Sequence, residues 1–98
     1  MAKETYSKFD AAEYLKTEKD YAAFLEACLE EAGDDPAYIT KALGTIARAR
    51  SMSKLAKKTR LTRTSLYKSL SANGNPEFAT VYKVIQALGL RLRVEIAK

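Results

Sequence analysis

The run from Ser51 to Leu70, SMSKLAKKTRLTRTSLYKSL, constrains the fold more than any other stretch of the chain. Its pattern predicts two short helices joined by a tight turn. Leu55 and Ala56 lie on the inner face of the first helix. Leu66 and Leu70, four residues apart, stack on one side of the second. Ala56 is small where two helices must cross closely, and Leu61 plugs the corner between them. Ser51 and Thr62 each precede a helical run and can cap its free N–H groups. The outward face of the second helix then carries Arg63, Thr64, Tyr67 and Lys68. An apolar back with a basic, hydrogen-bonding front is the layout of a major-groove reader. An ordinary amphipathic pair with a solvated face has the same pattern, and the pattern alone leaves both readings open.

The charge is divided along the chain. Residues 1–46 hold five Lys against ten Asp and Glu, a balance of −5, while residues 47–98 hold twelve Lys and Arg against Glu77 and Glu95, a balance of +10. Two surfaces with different partners are expected from such asymmetry. The basic half concentrates phosphate; the acidic half repels it and attracts basic proteins. A chain of 98 residues is expected to be a single domain, 1–98, burying roughly 60–70% of its unfolded surface. One cysteine and no histidine exclude a zinc framework, and no metal or cofactor is expected. The unpaired cysteine fits a reducing compartment. No run approaches the ~20 apolar residues of a membrane span, so a soluble, cytoplasmic protein without membrane partners is expected.

Residues 1–9 read as polar and loose, with Tyr6 and Phe9 able to pack. Asp10 caps a short helix, with Glu13 placed as in a capping box. Thr17 and Asp20 open a helix over about 18–32, with Tyr21, Phe24, Leu25, Cys28 and Leu29 as its stripe and Gly33 as its end. Cys28 inside that stripe is a buried small apolar residue rather than a nucleophile, because no histidine exists to activate it. Asp35-Pro36 starts a helix that runs to about Arg50, with Tyr38, Ile39, Ala42, Leu43, Ile46 and Ala47 buried. Arg48 and Arg50 suit the negative end of its dipole and equally suit phosphate contacts. These are the N-terminal helices, 10–50; the helix pair occupies 51–71. Gly74 is placed to stop a helix in the left-handed conformation. A closing helix follows over 76–89, with Phe78, Val81, Tyr82, Ile85 and Leu88 as its core face and Gly89 as its end. In the tail, Leu92, Val94 and Ile96 alternate strictly with polar residues, which predicts a strand over 91–97. A lone strand needs a partner. A second copy about a two-fold axis is the simplest one; an associated protein, or the strand's own domain, is the alternative.

Several pieces, in order, carry a resemblance: FDAAEYL (9–15), ALGTIARAR (42–50), MSKLA (52–56), LYKSL (66–70), GNPEF (74–78) and ALGLRL (87–92). The run of short helices resembles the Xre-type helix-turn-helix superfamily. Over about residues 9–94 the chain resembles the probable addiction-module antidote family, the HigA-like antitoxins. The helix-turn-helix is a weak signature by itself; the ordered set is far more specific. The resemblance implies a mainly α fold, a five- to six-helix bundle containing a lambda-repressor/Xre-like helix-turn-helix, to which the alternating tail adds the short C-terminal β-strand. It implies an antitoxin that neutralises a RelE/HigB-like ribonuclease toxin and represses its own operon on double-stranded operator DNA as a homodimer. Arg63, Thr64, Tyr67 and Lys68 are then expected at base edges, and Ser51, Lys54, Thr62 and Asn73 at phosphates. Glu26, Glu30, Glu31, Asp34 and Asp35 are expected to help hold the toxin, and Leu92, Val94 and Ile96 to form the dimer contact. The family usually has glycine where this chain has Ser51 and Arg60. A non-glycine in a left-handed turn costs on the order of 1 kcal/mol, which Arg60 can recover through a phosphate contact.

Other classes fit less well. A small RelE-like ribonuclease is also basic and can work without histidine, but it needs several alternating strands and this chain shows one. An RNA-binding module has poor support in a single outward Tyr67 without stacking partners. A transcriptional regulator without a toxin partner stays open as the alternative function.

Overall fold

The computed structural model describes residues 10–71 and 73–97. The expectations for residues 1–9, including Tyr6 and Phe9, lie outside the described residues. A 3-10 turn at Ala11–Tyr14 is followed by five α-helices: α1 Glu18–Ala32, α2 Pro36–Arg50, α3 Met52–Thr59, α4 Arg63–Ser69 and α5 Phe78–Ala87. No described helix is long and apolar enough to cross a membrane.

Local chemistry explains where the first two helices start. Thr17 Oγ1 accepts from the Asp20 N–H at 3.2 Å, and Asp20 Oδ2 accepts from the Thr17 N–H at 3.1 Å and the Lys16 N–H at 2.8 Å. This reciprocal box satisfies N–H groups that a helix start leaves bare. The Lys16 and Thr17 N–H groups hold the Asp20 carboxyl below its usual range. The stability tied to it is therefore present above the ordinary carboxylate pKa and is lost as pH falls through the depressed value. Asp35 Oδ1 accepts from the Ala37 N–H at 3.1 Å, with Pro36 as the first helical residue.

The core forms around α2. Every residue from Ala42 to Ala47 is buried. Leu43, Ile46 and Ala47 join Tyr21 of α1, Met52 and Leu55 of α3, Leu66 of α4 with Leu70 at its end, and Val84 and Ile85 of α5 with Leu88 at its end. Ile46, Leu55, Leu66 and Leu88 are completely covered, each contributing roughly 1.5–3 kcal/mol of apolar burial. Gly44 permits this closeness: a β-carbon there would run into the Leu70 carbonyl. Gly89, at φ 82°, ends α5 in the left-handed region while the Leu90 N–H returns to the Ile85 carbonyl at 3.1 Å.

The structure corrects the sequence reading at several points. Residues 91–97 form no strand, so the expected C-terminal β-strand is absent from a domain that is otherwise the expected helical bundle. The alternation of Leu92, Val94 and Ile96 is real, but a ladder needs a second strand and the described residues supply none. Val94 and Ile96 stand 98% and 92% exposed. The closing helix starts at Phe78, two residues after Pro76, with no side-chain cap. Its core face is Val81, Val84, Ile85 and Leu88, while Phe78 and Tyr82 stack on each other outside, ring centroids 5.8 Å apart. The apolar stripe of α5 is wider than the face the bundle covers, and the aromatics fall on its open edge. Tyr38 is likewise exposed, its hydroxyl donating to Glu31 at 3.0 Å. Gly74 does not take a positive φ; α4 ends with Leu70 as cap, its N–H on the Leu66 carbonyl.

Gly44→Ala should lower stability by about 1–3 kcal/mol, the usual cost of overpacking a filled contact. Urea unfolding checks this; an unchanged midpoint would mean that α2 and the end of α4 are not held this closely.

Candidate functional site

The helix pair α3–α4 is fixed at three points. Ser51 serves two helices at once. Its N–H donates to the Ala47 carbonyl at 2.9 Å, closing α2, and its Oγ accepts from the Lys54 N–H at 3.2 Å, opening α3. It does so at φ 125°, and Arg60, ending α3, sits at φ 63°, ψ 27°. These are the two positive-φ residues other than glycine among those described. Glycine adopts such angles without penalty; serine and arginine do not. At the corner, buried Thr59 donates its hydroxyl to the Leu55 carbonyl at 2.7 Å and accepts from the Leu61 N–H at 3.4 Å. In the sequence nothing separates Thr59 from the polar run around it. Thr62 Oγ1 then accepts from the Ser65 N–H at 3.0 Å and opens α4.

With Leu66 and Leu70 buried, α4 turns Arg63, Thr64, Tyr67 and Lys68 to solvent. The Arg63 guanidinium carbon lies 6.0 Å from the centre of the Tyr67 ring, at the outer limit of a cation–π contact, so the two side chains are neighbours on that face. Lys54, Thr62 and Asn73 are exposed, and Ser51 is half-buried. Arg60 is exposed beside Lys58 and Lys83, around a recess of about 400 Å³. Arg48 is engaged within the chain, donating to Asp10 Oδ1 at 3.0 Å. Asp10 also accepts from the Ala12 N–H at 3.1 Å. That backbone bond first, and Arg48 after it, keep the Asp10 carboxyl below its usual range against the opposing effect of partial burial.

The acidic residues do not form one cluster of equivalent groups. Glu26, Glu30, Glu31, Asp34 and Asp35 are all exposed. Asp35 is occupied as the cap of α2, and Glu31 accepts from Tyr38, raising that phenol above its usual range. Glu26 and Glu30 instead face a groove of about 620 Å³ between α1 and the tail. Buried Cys28 has its thiol pushed up by desolvation and then by nearby Glu31, the opposite of an activated nucleophile. α2 contacts both α1 and α3, so it lies between the acidic helix and the basic pair.

The described residues thus define a small all-α domain that presents a basic helix face at one place and an acidic helix at another. The chain belongs to the probable addiction module antidote protein family, whose model matches residues 5–96. It is also similar to an uncharacterized protein of Haemophilus influenzae, at 46% identity over 92 residues covering 94% of this chain and 93% of the relative. No solved structure matches it. Membership in a family of antidotes points to an antitoxin role and implies a toxin as partner.

Ser51→Gly should stabilise the domain. It removes positive-φ strain of about 1–3 kcal/mol. Against that stand a few tenths of a kcal/mol for the exchanged cap and about 0.4–1 kcal/mol for the freer unfolded chain. A net gain near 1 kcal/mol would raise Tm by roughly 4–8 °C in a domain of this size. Calorimetry that finds a lower Tm would show that the serine cap outweighs the strain.

Proposed function

We propose that this protein is a HigA-like, Xre-type antitoxin that binds operator DNA through α3–α4, represses its own operon as a homodimer, and neutralises a RelE/HigB-like ribonuclease by direct contact. The observation that carries the DNA reading is the exposed row Arg63, Thr64, Tyr67 and Lys68, on a helix whose opposite side is locked into the core by Leu66 and Leu70. A rigid helix with paired donors on its first two turns matches the geometry of base-edge recognition. Lys54, Thr62 and Asn73 take the flanking phosphates together with Ser51, and Arg60 at the turn adds a further cation. The toxin reading is supported by family membership and by the −5 balance of residues 1–46. Among its acids, Glu31, Asp34 and Asp35 gather at the end of α1 and the turn into α2. The dimer contact falls to the tail, where Leu92, Val94 and Ile96 leave apolar surface open.

Arg63→Ala should cost about 1–3 kcal/mol of operator binding and relax sequence preference, whereas Lys54→Ala should weaken all sequences alike and reduce the salt slope by about 1. Gel shifts on the chain's own promoter, against scrambled duplex, measure both. Unchanged affinity and discrimination for Arg63→Ala would remove α4 as the reader.

Co-expression with the product of an adjacent short reading frame should yield a stable complex. Reversing Glu31 and Asp34 to lysine should slow its formation and flatten the salt dependence of the association rate, as rim charges do. A capture rate indifferent to both reversals would assign these acids to solvation alone. Operator binding without any co-purifying toxin would leave a transcriptional regulator.

A further inference from the structure

The groove between α1 and the tail has two unlike walls. On α1, Leu25 and Leu29 form an apolar row, and Glu26 and Glu30 form an acidic row beside it. Both rows have the four-residue spacing that aligns side chains along a helix. The opposite wall is the tail, which contributes Leu92 with Arg91, Arg93 and Glu95, a net positive side. Leu29 and Leu92 are about half exposed, so both walls carry open apolar surface. None of Glu26, Glu30, Arg91 and Arg93 forms an ion pair among the described residues. Just past the groove, Val94 and Ile96 are almost wholly uncovered.

We infer that this groove seats the same tail from a second copy, the two tails being exchanged about a two-fold axis. The inference rests on the dimer reading above and specifies where each tail docks. The partner subunit's Val94 and Ile96 cover Leu25 and Leu29, and the partner subunit's Arg91 and Arg93 meet Glu26 and Glu30. A two-fold axis sets each wall against the opposite wall of the other copy, so one surface with an acidic and a basic side is complementary to itself. The lengths agree. The 15 residues of α1 span about 22 Å, and residues 90–97 reach at most roughly 26–29 Å when extended. Glu31, Asp34 and Asp35 lie outside the lining and stay with the toxin reading.

Two charge-reversed proteins test the exchange. One carries Glu26→Arg and Glu30→Arg; the other carries Arg91→Glu and Arg93→Glu. Each alone sets like charge against like in both grooves of a dimer. Sedimentation velocity should show a dimer for the unaltered chain and at least a tenfold weaker dimer for each variant. Far-UV circular dichroism should show that both variants keep their helices. An equimolar mixture should return to a dimer, because each groove then meets a tail of opposite charge, and a variant that had failed to fold could not be rescued this way. Two monomeric variants that stay monomeric when mixed would overturn the inference by placing the repulsion within one chain. If both charge variants remain dimers while Val94→Lys is a monomer, the tail contact stands and the groove is overturned as its seat. A monomeric unaltered chain would overturn the dimer reading and the inference together.

Discussion

Burial on all sides of α2 from Ala42 to Ala47 is the constraint on which the other elements depend. Six consecutive buried positions leave that length of helix without a solvent face, so neighbours must cover it all round. Small side chains make this possible. Ala42, Gly44 and Ala47 let other backbones come close, and Thr45 folds its hydroxyl back onto the Lys41 carbonyl at 3.3 Å instead of leaving it bare. α1 and the 3-10 turn cover one part of α2, α3 another, and the end of α4 rests against Gly44. The helix pair with the basic face therefore takes its position from a helix that itself contributes none of that face.

What was legible in the sequence was local. Thr17 with Asp20, Asp35 with Pro36, Ser51 and Thr62 cap helices where their side-chain chemistry places them, because a cap involves residues two or three apart. The buried pair of Leu66 and Leu70 was legible for the same reason: four-residue spacing fixes a helix face. What failed depended on contacts between distant parts of the chain. The tail alternates like a strand, yet alternation specifies only which side would be buried, not whether anything lies alongside. Phe78, Tyr82 and Tyr38 follow helical spacing and still lie outside, since periodicity cannot tell how wide a face the rest of the bundle covers. The candidate site divides in the same way. The exposure of Arg63, Thr64, Tyr67 and Lys68 follows from the helix period. The role of Thr59 as the corner, the pairing of Arg48 with Asp10, and the separation of Glu26 and Glu30 from the other acids are set only in the folded arrangement.

Glycine's absence at positions 51 and 60 has a physical reading once the angles are known. Both residues sit where a β-carbon is disfavoured, and each returns a function that glycine lacks. Ser51 supplies a cap oxygen to α3. Arg60 places a charge at the turn, near Lys58 and Lys83. Strain retained beside a surface with open polar and charged groups is a common mark of positions used for something besides folding.

Ser51 also has a mechanical consequence. It is the last cap of α2 and the first cap of α3, so no linker separates the two helices. A one-residue joint in a restricted conformation has little slack, and α3 must follow any tilt or rotation of α2. α1, with its acids, lies against that same α2. A ligand that favoured one setting of α2 from the acidic side would therefore bias the orientation of the basic pair. Linkage would require the converse as well: a ligand bound at α4 that favoured one setting would alter affinity at α1 by the same factor. Such a joint would make the two surfaces of this domain parts of one lever.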